Sequence, residues 1–176
     1  MKQLLSAEEV QQGVARLAAE IVRVYENRPL TIIGVMTGSL LLMADLIRRL
    51  PMPLRVGVLQ TSSYRGSSQR GELRIYTDGL LDIRNSDVLL VDDIFDTGHT
   101  LQRVCELLWE QRPASLRAAV LLRKLGRSQV CITPDFVAFD IPDHFVVGYG
   151  LDYRDQYRNL PYVAALEPHE LAEESP

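Results

Sequence analysis

The sequence predicts an α/β protein with an open, mainly parallel sheet and helices on both of its faces. Two observations support this fold class. Short apolar runs occur without polar alternation, which is typical of strands buried on both faces, and amphipathic segments with helical periodicity lie between those runs. Strands that alternate with helices favour parallel crossover connections, and such sheets bind ligands beyond the carboxyl ends of their strands.

The first predicted element is an amphipathic helix over residues 6–27. Ser6 and Glu9 have the spacing of a capping box, and the Pro29 that follows Arg28 predicts the end of the helix. Apolar residues recur at helical spacing along it, namely Val10, Val14, Leu17, Ile21 and Val24.

The next segments predict a strand, a tight turn and a second helix. Residues 30–35 form the strand, residues 37–39 form the turn, and the helix runs to Leu50. Another strand covers residues 54–60. Residues 61–72 are crowded with Ser, Gly, Gln and Arg and lack periodicity, so we expect a mobile loop there.

The second half of the chain predicts a loop over residues 92–98 and one more helix over residues 100–111. Its predicted strands are short and rich in apolar or aromatic residues; they cover residues 73–76, 88–91, 116–122, 136–139 and 145–147. Because the sequence contains neither an internal repeat nor a linker, we expect one domain over residues 1–176.

Composition excludes several function classes. Hydrophobic residues make up 47% of the 176 residues and charged residues 24%, which is typical of a globular protein. The net charge of -4 gives no overall attraction to a polyphosphate, so we expect no nucleic-acid partner. No apolar run approaches the ~18 residues of a membrane span, no signal segment is present, and Cys105 and Cys131 lack metal-ligand spacing. We therefore expect a cytoplasmic protein without a membrane partner.

Residues 88–100 carry the most informative motif: an apolar strand, an acid pair and the turn Asp-Thr-Gly-His-Thr follow one another. A helix that begins at such a turn exposes unpaired N–H groups and the positive end of its dipole, which suits a phosphate. Thr97 and Thr100 add hydroxyl donors, and Gly98 lets the backbone approach the ligand closely.

Asp92 and Asp93 precede that turn, and their charges would repel a phosphate unless they face another part of the ligand. Vicinal carboxylates accept hydrogen bonds from the 2′ and 3′ hydroxyls of a ribose, and a divalent cation can offset the negative charge. The motif therefore predicts a sugar-phosphate site. The structural alternative is that Asp96 and Thr97 only cap the helix while the acid pair is solvated.

The strand, the acid pair and the Asp-Thr-Gly-x-Thr turn resemble the diphosphate-sugar signature of type I phosphoribosyltransferases. Residues 134–139 and 141–153 resemble the base-binding and C-terminal segments of the hypoxanthine-type members, and the resemblance covers about residues 8–166. It implies the type I phosphoribosyltransferase fold, with a core over about residues 28–140, a small hood from both terminal segments and a mobile closing loop. It also implies a homodimer or homotetramer.

The resemblance implies an enzyme of purine salvage, which transfers a 5-phosphoribosyl group from phosphoribosyl diphosphate to a 6-oxopurine (hypoxanthine and/or guanine). Mg²⁺ is the implied cofactor. Asp96 is the implied general base. The implied phosphoribosyl-binding residues are Asp92, Asp93, Thr97, Gly98, His99 and Thr100, and the implied magnesium ligands are Asp92, Asp93 and, through water, Asp152.

The resemblance also implies the residues that bind the purine. Lys124 donates to the 6-oxo group, Phe145 stacks on the ring, the backbone of Val146 bonds its edge, and Asp152 lies near the base and the magnesium. Taken alone, Lys124 could instead be a solvated surface lysine, and Phe145 could be part of the core.

Thr37, Gly38 and Arg158 match the diphosphate-binding positions of the family, whose loop often contains a non-proline cis peptide bond. Many members have Lys where this chain has Thr37, so a cation is missing there. Ser63 and Tyr64 match the start of the closing loop, which excludes water from the reaction. Taken alone, Arg158 could be part of an ordinary surface salt bridge.

Two other functions fit parts of the sequence. Pyrimidine-operon RNA-binding regulators share the phosphoribosyl loop and a similar length, but residues 145–149 and the acidic net charge favour the purine family. Phospho-acceptor receiver domains also place two acids after an apolar strand, but no Asp-Thr-Gly turn is expected in them. The purine enzyme is the main prediction, and the RNA-binding regulator is the alternative.

Overall fold

The computed structural model describes residues 1–63, 73–77 and 79–172. Helices and strands alternate along most of this length, as the sequence predicts. The helices are α1 (Ala7–Tyr25), α2 (Leu40–Ile47), α3 (His99–Glu110) and α4 (Pro168–Ala172). The strands are β1 (Lys2–Leu5), β2 (Leu30–Met36), β3 (Leu54–Ser63), β4 (Leu73–Tyr76), β5 (Asp87–Phe95), β6 (Ser115–Lys124), β7 (Phe136–Ile141), β8 (Val146–Val147) and β9 (Val163–Ala165).

Six strands form the main sheet, in the order β4-β3-β2-β5-β6-β7. The β2–β3, β2–β5, β5–β6 and β6–β7 pairs are parallel, and only the edge pair of β3 and β4 is antiparallel. This arrangement confirms the predicted fold class. Because β2 and β5 are neighbours at the centre of the sheet, their carboxyl ends meet at one edge.

The two faces of the sheet are covered by different helices, because alternate residues of each strand point to opposite faces. On β5, Leu89 and Val91 pack with α1 and α2 in one apolar cluster. Val88 and Leu90 belong to a second cluster, which contains the buried residues of α3. The wholly apolar run in β5 is therefore a consequence of burial on both faces.

The predicted capping box is present at the start of α1. The backbone N–H of Glu9 donates to the Ser6 hydroxyl at 3.1 Å, and the backbone N–H of Ser6 donates to the Glu9 carboxylate at 2.7 Å. This reciprocal pair satisfies two amides that the first turn of a helix leaves unpaired.

A second sheet joins the two ends of the chain. It has the order β1-β9-β8, and both of its strand pairs are antiparallel. The sequence analysis missed β1, β9 and α4, because elements of three to five residues show too little periodicity to stand out.

Two predicted loop boundaries were wrong. The ladder between β5 and β6 continues to the Phe95–Arg123 pair, so the acid pair lies on a strand and not in a loop. Likewise β3 continues to Ser63 and pairs with β4. Both strands were predicted to end too early because polar residues follow their apolar runs. The backbone hydrogen bonds of a ladder do not depend on side-chain polarity, so the strands continue through those residues.

Candidate active site

The carboxyl ends of β2 and β5 open onto a cavity of about 390 Å³. The two strands pair in parallel up to Gly34 and Val91, so the residues that follow on each strand reach the same edge of the sheet. The cavity wall contains most of the predicted site residues: Thr37, Gly38, Asp92, Asp93, Asp96, Thr97, Gly98, Thr100, Asp152 and Arg158. Segments far apart in the sequence are thus brought together at one place.

One side of the cavity is formed by the start of α3. Gly98 is the N-cap residue, with a φ of 89°, and no side chain caps the helix. The first intrahelical bond runs from the N–H of Gln102 to the carbonyl of Gly98 at 2.9 Å. The earlier amides have no intrahelical acceptor and lie at the positive end of the helix dipole, so this turn can bind an anion.

The absence of a side-chain cap excludes the structural alternative for Asp96 and Thr97, in which they only cap α3. His99 is the first residue of α3, and its exposed imidazole lies 3.1 Å from the side-chain oxygen of Gln129. At this turn, His99 can therefore offer a ligand its backbone amide.

The acid pair forms the floor of the cavity. Asp92 is only 7% exposed and Asp93 is half-buried, so the pair is not solvated. Burial, and then the neighbouring charge of Asp93, raise the pKa of Asp92 well above its usual value. Burial also raises the pKa of Asp93, although the hydrogen bond with Asp92 and the charge of Arg158 act in the opposite direction. Ligand hydroxyls or a cation would offset the unfavourable charge.

The turn after β2 approaches the acid pair closely. A Cβ atom on Gly38 would lie 1.7 Å from Oδ2 of Asp93, so a larger residue there would displace the Asp93 carboxylate. The peptide bond between Met36 and Thr37 is cis, as the resemblance implied. Thr37 occupies the position where many family members have Lys.

Asp96 lies at the far side of the cavity, between two cations. Oδ2 of Asp96 accepts a hydrogen bond from Nζ of Lys124 at 3.0 Å, and Oδ1 accepts one from Nε of Arg127, also at 3.0 Å. Partial burial on its own would raise the pKa of Asp96, but these two hydrogen bonds and charges hold it below its usual value. The carboxylate is therefore ionised before a substrate arrives.

Lys124 is the last residue of β6, and its side chain is only 10% exposed. This burial excludes the alternative that Lys124 is a solvated surface lysine. A largely buried ammonium beside a carboxylate can discriminate between ligand groups that accept hydrogen bonds and groups that donate them.

Phe145 and Val146 lie outside the cavity wall. Val146 is buried on β8, whereas Phe145 is 42% exposed and therefore does not belong to the core. The ring of Phe145 meets the ring of Tyr153 edge to face, with the centroids 5.4 Å apart. An exposed aromatic face of this kind can accept a flat ring by stacking.

Arg158 and Asp152 form an ion pair of 2.8 Å in the cavity wall. Arg158 also donates to the carbonyl of Gly150 at 2.7 Å. Because this guanidinium is held from two sides and faces a cavity that contains Asp92 and Asp93, the pair is not an ordinary surface salt bridge.

The predicted closing loop lies mostly outside the described residues. Ser63 is the final residue of β3, where it pairs with Leu73 on β4, and Tyr64 is not among the described residues. Arg127 and Asp143 were not among the predicted site residues, because nothing in the sequence indicates that Arg127 reaches Asp96 or that Asp143 reaches Lys124 and Arg127.

Comparison with known proteins agrees with this geometry. The phosphoribosyl transferase domain model matches residues 1–154. The hypoxanthine-guanine phosphoribosyltransferase of Staphylococcus epidermidis is 44% identical over 165 residues, which cover 93% of this chain and 92% of that protein. The chain belongs to the hypoxanthine-guanine phosphoribosyltransferase family.

Solved structures of the family have the same fold. The hypoxanthine phosphoribosyltransferase of Staphylococcus aureus matches with a TM-score of 0.89 and 40% identity, over 96% of this chain and 92% of that chain. A point mutant of the Trypanosoma cruzi enzyme, described as complexed with the product IMP, matches with a TM-score of 0.90 and 37% identity, over 98% of this chain and 93% of that chain. These relatives support the enzyme over the RNA-binding regulator.

Among the described helices, none combines the length and the apolar character needed to span a membrane.

Proposed function

We propose that this member of the family transfers the 5-phosphoribosyl group of phosphoribosyl diphosphate to a ring nitrogen of hypoxanthine and/or guanine, releasing diphosphate and forming IMP or GMP. The observation that carries the proposal is the single cavity shared by the uncapped start of α3, the acid pair and the turn after β2. The names of the relatives, which describe purine salvage enzymes, support the same reaction.

In this proposal the start of α3 holds the 5′-phosphate. The amides of residues 97–100 and the hydroxyls of Thr97 and Thr100 supply donors, and the dipole of α3 supplies positive potential. Asp92 and Asp93 accept hydrogen bonds from the ribose hydroxyls, which replace the water that burial has removed. The sugar is thereby fixed with its anomeric carbon towards Asp96.

The diphosphate lies between the turn at Thr37 and Gly38 and the guanidinium of Arg158. A planar guanidinium suits a phosphate because it can donate two parallel hydrogen bonds. In this chain the cation that many members have at position 37 is absent, so Arg158 carries more of the proposed contact. Departure of diphosphate then depends on positioning and charge stabilisation.

Magnesium is the proposed cofactor, and the carboxylates fit it. The oxygens of Asp92, Asp93 and Asp152 are hard ligands in one cavity. Three carboxylates of this kind would suit Mg²⁺, which keeps several of its waters when protein oxygens bind it. When bound, Mg²⁺ neutralises charge on the leaving diphosphate.

The purine lies between Phe145 and the Asp96–Lys124 pair. Lys124 has three N–H donors, and one of them can turn from its two carboxylate partners, Asp96 and Asp143, towards a 6-oxo group. Asp96 accepts the proton from the ring nitrogen that attacks the anomeric carbon. Phe145 offers its exposed ring for stacking, and the backbone of Val146 bonds the purine edge.

We also propose that the chain forms a homodimer or homotetramer. Val56 and Val58 are exposed on one face of β3, and Tyr76 of the neighbouring β4 is exposed as well. The opposite face of β3 is covered near Gly57 by Leu81. An apolar strip on an outer strand pair is a surface that a second copy could cover.

The direct test is synthesis of nucleotide. The protein is incubated with phosphoribosyl diphosphate, Mg²⁺ and each of hypoxanthine, guanine and xanthine in separate reactions, and the nucleotide is separated and quantified. We expect IMP or GMP to form with release of diphosphate, and no product when Mg²⁺ is chelated. RNA binding on a filter without nucleotide synthesis would contradict the proposal and favour the regulator.

A further inference from the structure

Arg127 contacts the proposed general base, yet the proposed function gives it no task. It lies in the turn after β6, one residue beyond Gly126, which has a φ of 72°. Its Nε lies 3.0 Å from Oδ1 of Asp96, while Nζ of Lys124 lies 3.0 Å from Oδ2. Each oxygen of the Asp96 carboxylate therefore has a cation of its own.

Asp143 completes a cluster of four charges. Its Oδ1 lies 3.4 Å from Nζ of Lys124, and its Oδ2 lies 3.5 Å from Nε of Arg127. Two carboxylates and two cations alternate, so their formal charges cancel. Among the described residues, the other charged groups in the wall of the adjoining cavity are Asp92, Asp93, Asp152 and Arg158.

In the proposed reaction Lys124, one of these two cations, also has to bind the substrate. Lys124 must turn a donor towards the 6-oxo group of the purine, and that group competes with Asp96 and Asp143 for the ammonium. If the hydrogen bond from Lys124 to Asp96 weakens, the half-buried Asp96 carboxylate has less positive charge beside it. Asp96 must nevertheless remain ionised to accept a proton. Arg127 stays charged at every relevant pH and does not face this competition.

We propose that Arg127 is a positioning residue for this reaction, which holds Oδ1 of Asp96 so that the carboxylate keeps its charge and orientation while Lys124 donates to the substrate. The inference rests on the proposed function and deepens it. Lys124 recognises the 6-oxo group and Arg127 supports the base, so the two cations divide two tasks that a single lysine would have to combine.

The test compares Arg127→Gln with Arg123→Gln. Arg123 is a matched control, because it is similarly exposed and pairs with Asp140 at 2.6 Å, away from the cavity. With hypoxanthine or guanine as substrate, we expect Arg127→Gln to lower kcat about 10-fold through misplacement of the base, with the KM for phosphoribosyl diphosphate changed less than about 2-fold. Arg123→Gln should match the wild type in both parameters.

A second readout requires no turnover. Carboxyl ¹³C NMR of the free protein, assigned with Asp96→Asn, follows the ionisation of Asp96 in each variant. Removal of a neighbouring cation raises the pKa of a carboxylate, so the pKa of Asp96 should rise in Arg127→Gln and stay at the wild-type value in Arg123→Gln. Arg127→Lys, which keeps the charge, should restore most of the wild-type pKa.

The possible results separate the inference from the proposed function. An Asp96 pKa that is equal in the wild type and Arg127→Gln, or an unchanged kcat in an active enzyme, would overturn the role of Arg127. Lower thermal stability without either change would mark Arg127 as a purely structural residue. If the wild type forms no nucleotide, the proposed function fails, and the NMR titration still decides whether Arg127 holds Asp96 in its charged form.

Discussion

At the position of Asp96, two cations stabilise one carboxylate before any substrate is present. Their hydrogen bonds outweigh the effect of burial, so the pKa of Asp96 is lower in the folded protein than in the unfolded chain. A lowered pKa contributes stability above the unfolded pKa, and this contribution is lost as the pH falls through the folded value. The acid limb of the activity profile should therefore lie below the range of an ordinary aspartate when Asp96 is free of substrate.

The first prediction concerns Asp96→Asn. The amide cannot accept the purine proton but has nearly the same shape, so we expect kcat to fall by roughly 10²- to 10⁴-fold. Binding of phosphoribosyl diphosphate, measured by calorimetry with Mg²⁺, should stay within about 3-fold of the wild type, because the proposed phosphate and ribose contacts lie on other residues.

The control for this variant is Asp140→Asn. Asp140 is the acid of the neighbouring pair with Arg123, and its side chain is 43% exposed. It should keep wild-type turnover. If Asp96→Asn turns over at the wild-type rate, Asp96 is not the general base.

At the scale of single elements, the start of α3 depends on Gly98. Its φ of 89° lies in a region that side chains rarely adopt, and a Cβ atom there would lie 2.3 Å from Cγ2 of Val130 and 2.9 Å from the ring of Phe95. Both the backbone conformation of the turn and its packing against Val130 and Phe95 therefore require glycine.

The second prediction concerns Gly98→Ala. The unfavourable φ alone costs about 1–3 kcal/mol, and the contact with Val130 and Phe95 adds to it, so we expect lower stability in urea unfolding. Since the amides of the turn would also move, the affinity for phosphoribosyl diphosphate should fall about 10-fold or more, measured by calorimetry.

Gly79→Ala separates conformational strain from crowding. Gly79 has a φ of 79°, and a Cβ atom there would meet no atom within 4 Å. This variant should lose some stability and keep its affinity. Equal affinity in Gly98→Ala and Gly79→Ala would mean that the turn at Gly98 does not bind phosphate.

Helix α2 is tied to the segment that carries Asp152. The buried Tyr149 donates a hydrogen bond to Oδ2 of Asp45 on α2 at 2.5 Å, and Gln11 of α1 donates to the same oxygen at 2.7 Å. Burial, together with the charge of Asp45, raises the pKa of Tyr149, so the hydroxyl remains a donor at every relevant pH. This network connects α1, α2 and the segment between β8 and β9.

The third prediction concerns Tyr149→Phe, which removes only the hydroxyl. The half-buried Asp45 carboxylate loses one charge-assisted partner, so we expect the free energy of unfolding to fall by about 1–3 kcal/mol, measured by urea unfolding. Tyr76→Phe is the control because Tyr76 is 48% exposed, and it should change stability by less than about 0.5 kcal/mol. Equal stability of the two variants would contradict the proposed link.

At the scale of the whole molecule, the six-stranded sheet sets the position of the cavity. The second sheet, built from β1, β8 and β9, carries the C-terminal segments to the same edge. Glycosyl transfer requires water to be excluded from the reacting sugar. A cavity between the six-stranded sheet and the segments of the second sheet admits less water than an open groove would. The exposed apolar strip of β3 and β4 lies near this edge, because β3 ends there.

The fourth prediction concerns assembly. In Val58→Lys a charge is placed in the middle of the apolar strip, where a second copy would have to bury it, so we expect the assembly to dissociate towards monomers. Size-exclusion chromatography with light scattering gives the mass. Val24→Lys, at an exposed apolar position on α1, should leave the mass unchanged; dissociation by both variants, or by neither, would contradict an interface at β3.

The sequence by itself determined the fold class and the glycine turn that opens α3, because both depend on local patterns. An apolar run of four residues such as 88–91 indicates burial on both faces, and a turn with Gly98 before an amphipathic segment indicates the start of a helix. The resemblance added Lys124, Asp152 and Arg158, whose types and positions no periodicity could have indicated.

Only the tertiary structure decided which charges meet. That Asp92 is buried, that Asp93 faces Gly38, and that Arg127 reaches Asp96 depend on strand register and on the directions of two turns. The physical reason is that hydrogen bonds within a helix join residues close in sequence, whereas contacts between the ends of different strands depend on the order and register of the whole sheet. A lysine and an arginine near one aspartate are therefore visible only after the chain has folded.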